Sequence, residues 1–121
     1  MKKFLILVLV TVCVSCSDEE GAQRMPDGIL TKQEMVELLV DIQLIEGGII
    51  IRKLDEKKFG EEINAYYQKA FKKHGLTKET FEYNMRYYTD NPKILDAVYE
   101  EVINEISRQQ AESETQQTIK K

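Results

Sequence analysis

The chain is predicted to be all-α. It reads as a small compact bundle of four helical segments, the third one short, behind an N-terminal targeting segment and a flexible tether. Three observations predict this. Apolar residues recur every three or four positions from Met35 to Ile106, the spacing that builds one face of a helix. Helix start and stop signals stand at Thr31, Gly75, Thr77 and Pro92. No stretch alternates apolar and polar residues with period two, and no hairpin turn signal occurs. At 121 residues the chain holds one domain at most.

Thr31 followed by Glu34 is a capping box that opens the first helix. Met35, Leu38, Leu39, Ile42, Ile45 and Ile49 then form one broad face, and Val36, Val40, Leu44 and Ile51 widen it. Such a helix should meet neighbours on more than one side. Gly47-Gly48 interrupts it at about 1 kcal/mol per Gly relative to Ala, which predicts a kink or a close backbone approach there. The second helix spans about Asp55 to His74, with a stripe of Phe59, Ile63, Tyr66, Tyr67, Ala70 and Phe71. Gly75 supplies the left-handed residue that stops it, and Leu76 the apolar contact that accompanies such a stop. Thr77 caps the short third helix, which carries Phe81, Asn84, Met85 and Tyr88 on one face. Asp90-Asn91-Pro92 ends it and starts the fourth, with Pro92 at the first helical position. Leu95, Val98, Tyr99, Val102, Ile103 and Ile106 are that helix's stripe. After Ser107 the composition turns polar, so residues 108–121 are expected to be a frayed tail.

Composition removes several functions. A formal charge of -4 from 17 basic and 21 acidic residues argues against nucleic acid as a partner, because binding it needs a basic face. One His, two Cys and no Trp leave almost no raw material for a metal cage or a disulfide framework. No metal and no dissociable cofactor are expected.

Residues 1–15 read as an address. Lys2 and Lys3 precede an apolar run from Phe4 to Val14 that only Thr11 interrupts. A membrane span needs about 20 apolar residues; this shorter run suits a signal peptide. Val14-Ser15-Cys16 resembles the lipobox of bacterial lipoproteins, with Cys13 standing where Leu is usual. The resemblance implies cleavage between Ser15 and Cys16 and a covalent diacylglycerol and acyl (palmitoyl-type) lipid on Cys16. Cys13 and Cys16 also spell a C-x-x-C pair, but one inside a signal segment with no further Cys to complete a zinc site. Cleavage removes Lys2 and Lys3 and no acid, leaving 15 basic against 21 acidic residues, or -6. Anionic lipid repels such a body, so the acyl chains must hold it to the membrane. Residues 16–30 are then a flexible tether and 31–107 the helical domain. Ser17-Asp18-Glu19-Glu20 within the tether resembles the surface-export signal of Bacteroidota lipoproteins. Lipid anchoring in the outer membrane, with exposure at the cell surface, is the expected location.

A longer resemblance covers residues 31–107. Leu39-Val40-Asp41-Ile42 with Glu46, Tyr67, Phe71-Lys72-Lys73-His74-Gly75-Leu76-Thr77, Phe81, Tyr87-Tyr88, Asn91-Pro92 and Val98-Tyr99 with Val102 are similar in order and spacing to the family catalogued as domain of unknown function 4296, small lipoproteins of Bacteroidota. Gln43 stands where that family's pattern suggests His, and Asn84 where it suggests Ser. The resemblance implies a fold and an anchor. It assigns no activity.

Three polar residues stand out as a candidate buried site. Glu46 falls inside the apolar arc of the first helix, among Ile42, Ile49 and Ile50, and a carboxylate there needs a partner, such as a Tyr hydroxyl, an Arg or a His. Asp41 sits at the edge of the same face. His74, the only His, lies on the second helix's stripe in its last turn, where the helix dipole favours a cation. Tyr83 and Tyr87, spaced i, i+4 on the far side of the third helix, form a candidate contact patch, since Tyr is enriched at interfaces. The sequence carries no nucleophile motif, phosphate loop or paired-carboxylate motif. The leading expectation is a non-enzymatic binding or assembly module with an envelope protein partner. The alternative is a small envelope hydrolase or transferase using Glu46 and His74.

Overall fold

The computed structural model describes residues 25–120. They form four helices: α1 (Lys32–Ile51), α2 (Glu56–Lys73), α3 (Lys78–Asp90) and α4 (Pro92–Ile119). There is no strand among the described residues. The expectations placed on Ser15, Cys16 and the acidic run after them lie outside the described residues.

The first half of α1 is the centre of the molecule. Met35, Val36, Leu38, Leu39, Val40 and Ile42 are all buried. A helix so widely apolar must be covered on more than one side, and here α4 and α2 cover it. The α4 helix presents Val98 and Val102, both buried, and Lys32 pairs with Glu101 at the edge of that contact. The α2 helix runs antiparallel to α1: Asp41 meets His74, Glu46 meets Tyr67, and Arg52 meets Glu62. Phe71 of α2 stacks on Phe81 of α3 with ring centroids 4.9 Å apart.

The caps are those the sequence encodes. Thr31 and Glu34 close the capping box of α1, the Thr31 N–H donating to Glu34 Oε2 at 2.8 Å. Asp55 caps α2 through the Lys57 N–H at 2.7 Å. At the end of α2, Gly75 has φ +68°, Leu76 N–H bonds Phe71 C=O at 2.8 Å and Gly75 N–H bonds Lys72 C=O at 3.2 Å. That is the Schellman pairing. The end of α1 uses the same pairing without a glycine. Leu54 N–H bonds Ile49 C=O, Lys53 N–H bonds Ile50 C=O, and Lys53 takes the left-handed conformation with φ 52°.

The Cα atoms of α3 stay more than 8 Å from those of α1. Residues 28–30 and the side chains of α3 fill the interval. Ile29 is buried. Asn84, fully buried, accepts the Leu30 N–H at 2.7 Å and donates to Gly28 C=O at 3.1 Å and Thr80 C=O at 2.9 Å. Tyr88, also fully buried, donates its hydroxyl to Leu30 C=O at 2.8 Å. Burial first, with electrostatic repulsion from Tyr87 and Glu34 adding to it, pushes the Tyr88 phenol up to about 12. Gly28, at φ +81°, lets the chain turn so that Ile29 N–H returns to Pro26 C=O at 3.1 Å.

Four expectations are corrected. The stretch before residue 31 is not a free tether throughout, because Ile29 is buried and the Gly28 and Leu30 backbone is bonded to Asn84 and Tyr88. Residues 108–119 continue α4 as helix; Arg108 bonds Glu105 at 2.6 Å and Glu112 at 2.5 Å, pairs that support a helix with no apolar face. The α1 helix is continuous through Gly47-Gly48, and a Cβ at either would meet nothing within 4 Å; the non-helical residue is Phe59, in α2. Tyr99 and Ile103 are exposed, Ile103 by 64%, because each sits one position, about 100°, beyond the Val98 and Val102 that face α1.

Replacing Asn84 with Leu keeps the volume and strands the Leu30 N–H and the Gly28 carbonyl. Leaving such groups unpaired costs about 1–3 kcal/mol, so urea melts of Asn84→Leu should shift to lower midpoint by that amount with an unchanged slope. An unaltered midpoint would mean that Asn84 holds nothing.

Candidate functional site

Beyond Ile42 the packing around α1 opens. Leu44 is 48% exposed and Ile51 82% exposed. Between this half of α1 and the facing side of α2 lies a groove of about 570 Å³. Its walls are mainly Leu44, Ile45, Gly48, Ile49, Leu54 and Ala70. The periodicity that brings them together is plain: 44, 45, 48, 49 and 52 share one face of α1, and 66, 69, 70 and 73 one face of α2.

Both ends of the groove are polar. At one, Arg52 donates to the Tyr66 hydroxyl at 2.7 Å and to Glu62 at 3.0 Å, and that hydroxyl donates to the same Glu62 oxygen at 2.6 Å. The Tyr66 and Arg52 bonds hold the Glu62 carboxyl below the usual carboxylate range. At the other end, Asp41 Oδ2 is 2.7 Å from Lys73 Nζ and 2.7 Å from His74 Nε2. Burial pushes the Asp41 carboxyl up, but the hydrogen bonds and charges of Lys73 and His74 outweigh it and leave it below its ordinary value. Lys69 also lines the groove and makes no ion pair among the described residues. A second cavity, about 640 Å³ and polar, lies between α1 and α4 with Glu37, Glu101, Glu105 and Arg108 on its walls. Asp41, Lys73 and His74 line it too, and Asp41 and Lys73 belong to both cavities.

The residues singled out in the sequence separate into different places. His74 is nearly buried and bonds Asp41. Glu46 is only half-buried; the Tyr67 hydroxyl and the Gln43 amide each donate to it at 3.5 Å, the outer limit for a hydrogen bond. Burial first, and the Glu46 charge second, raise the Tyr67 phenol above its ordinary value. Glu46 therefore has the Tyr partner the sequence suggests without the deep burial, and it does not pair with His74. Asp41 and His74 form the orienting half of an acid–base arrangement, with no hydroxyl or thiol bonded to the imidazole among the described residues. No group of three His, Cys, Asp or Glu that could hold a metal is present among them.

Tyr83 and Tyr87 differ in exposure. Tyr83 is 50% exposed. Tyr87 is half-buried, edge-on to Tyr88 with centroids 5.5 Å apart, and its hydroxyl reaches Met25 Sδ at 3.5 Å. The segment before α1 therefore covers one member of the pair.

Two groupings escaped the sequence reading: the Arg52–Glu62–Tyr66 cluster and the groove that Lys69 lines. A usable signal was present. The apolar arc of α1 is wider than one core contact needs, and Tyr66, Lys69 and Lys73 recur at helical spacing on α2.

Residues 26–112 match the family described as Domain of unknown function (DUF4296), and the chain belongs to that family. The match starts at the turn preceding Ile29, so it includes the segment that Asn84 and Tyr88 hold. No curated protein and no solved structure matches the chain.

The Asp41 pair has a pH signature. A carboxyl held below its ordinary value binds its proton less readily in the folded than in the unfolded chain. Its stabilising effect is present above about pH 4, where the unfolded carboxyl is ionised, and is lost as pH falls through the folded value. Asp41→Asn should therefore be less stable than the parent at pH 6, with the gap between their melting temperatures closing below about pH 4. A gap that stayed constant down to pH 2 would contradict this account.

Proposed function

We propose that this chain is a lipid-anchored protein of the cell envelope that works as a non-enzymatic binding or assembly module. The observation that carries the binding half is the groove between α1 and α2. It is walled by apolar side chains and framed by polar clusters, the composition of a binding site, and neither Glu46 nor His74 lines it. The alternative, a hydrolase or transferase built on Glu46 and His74, has less support, because those side chains bind different partners, Tyr67 and Asp41.

The anchoring half rests on the first segment. Lys2 and Lys3, the short apolar run and Val14-Ser15-Cys16 support export, cleavage before Cys16 and lipid on its sulfur. No helix among the described residues is long and apolar enough to cross a membrane; on this reading the acyl chains on Cys16 hold the protein, against the repulsion that its acidic body meets at anionic lipid. Ser17-Asp18-Glu19-Glu20 supports display on the outer face of a Bacteroidota outer membrane. An envelope protein is the proposed macromolecular partner.

Cys16→Ala should release the protein to the soluble fraction or stall it as an uncleaved precursor, read by fractionation and gel mobility. A mutant processed and membrane-bound like the parent would overturn the anchor.

A further inference from the structure

Three features of the groove point to a particular kind of occupant. The first is shape and lining. Its volume of about 570 Å³ lies within the roughly 300–1,000 Å³ of small-ligand sites. From residue 41 to residue 52 it follows α1 for about 16 Å at 1.5 Å per residue, room for an extended acyl chain. Leu44, in its wall, is 48% exposed, so a chain can enter from the side.

The second feature is Gly48, in the groove wall. Glycine inside a helix costs about 1 kcal/mol against alanine. Nothing in the fold requires it here: the helix is unbroken, φ is not positive, and a Cβ would meet no atom within 4 Å. What the missing side chain leaves is open space against the backbone of α1, inside the groove.

The third is charge. The chain carries -4 overall, yet the groove is bordered by Arg52, Lys69 and Lys73 against one acid, Asp41. Arg52 is committed to Glu62 and Lys73 to Asp41. One cation of the groove wall, the exposed Lys69, remains without an ion pair among the described residues.

We propose that this groove binds a single-chain long-chain carboxylate, with the acyl chain laid along Leu44, Ile45 and Ile49 across Gly48 and the carboxylate paired with Lys69. One uncommitted ammonium matches one negative charge. A cationic amphiphile meets a like charge at Lys69, and a neutral one leaves Lys69 unpaired. The proposal rests on the reading of the protein as a binding module and names what the module holds.

The test is a fluorescence titration of the full chain with cis-parinaric acid, a polyene carboxylate that brightens in apolar sites. The chain carries Cys16→Ala so that no lipid of its own competes. Saturation at one probe per chain is expected. Lys69→Glu and Gly48→Leu should each weaken binding about tenfold or more, and the methyl ester of the probe should bind about tenfold more weakly than the acid. Ile103→Asp, on the exposed side of α4, should bind like the parent. Circular dichroism verifies that each variant is folded. Absence of saturable binding, equal binding of acid and ester, or full affinity in folded Lys69→Glu and Gly48→Leu would overturn the proposal. Cys16 fractionation is scored separately, so loss of the ligand would leave the anchored protein as proposed.

Discussion

The arrangement of the helices depends on two buried polar side chains in α3. Asn84 and Tyr88 hold the backbone of residues 28–30 with three hydrogen bonds, and that strap occupies the gap between α3 and α1. A buried backbone group without a partner costs about as much as a lost hydrogen bond, so the strap enters the core only because these side chains meet it. Once there it places Ile29 against the core and aligns Thr31, the cap of α1. The entry of the chain, the start of α1 and the tilt of α3 are consequently one problem with one solution.

That closure is confined to one end of α1. The strap, α3 and the early turns of α4 surround residues 35–42, whereas the groove begins at Asp41 and runs the other way, along α2 alone. Occupancy of the groove therefore does not compete with the packing that holds the fold. It also leaves residues 28–30 at the opposite end of α1 from the groove. A domain divided in this way can change its surface at Leu44, Gly48, Ile51 or Lys69 without disturbing Asn84 or Tyr88.

Much of the fold was legible because local signals agreed with one another. Thr31 with Glu34, Gly75, Thr77 and Pro92 mark boundaries through backbone chemistry that tertiary packing does not override. The misreadings share a cause: they concern what a face meets, which periodicity does not encode. Tyr99 and Ile103 fit the stripe of α4 as well as Val102 does, yet α1 is narrow enough to cover only one side of that stripe. Gly47-Gly48 looks like a break, but the helix continues, since a glycine permits a kink without enforcing one. Residues 108–119 lack an apolar face and remain helical through the Glu105–Arg108–Glu112 pairs. Among the candidate residues, Asp41 and His74 were named and do meet, while Glu46 lies nearer the surface than its wheel position suggests. Asn84 was placed on the correct face, but its role needed the strap, whose sequence Asp27-Gly28-Ile29-Leu30 reads as a linker until it is seen packed.

The central claim is that Asn84 and Tyr88 hold residues 28–30 against the core, and amide hydrogen exchange at Leu30 tests it most directly. Its N–H is bonded to Asn84 Oδ1, so the account predicts exchange only through global unfolding, with the same protection as the amides of Leu38 and Leu39 in α1. Exchange at the rate of an open chain, while those α1 amides remain protected, would show that the strap is not held and would contradict the account.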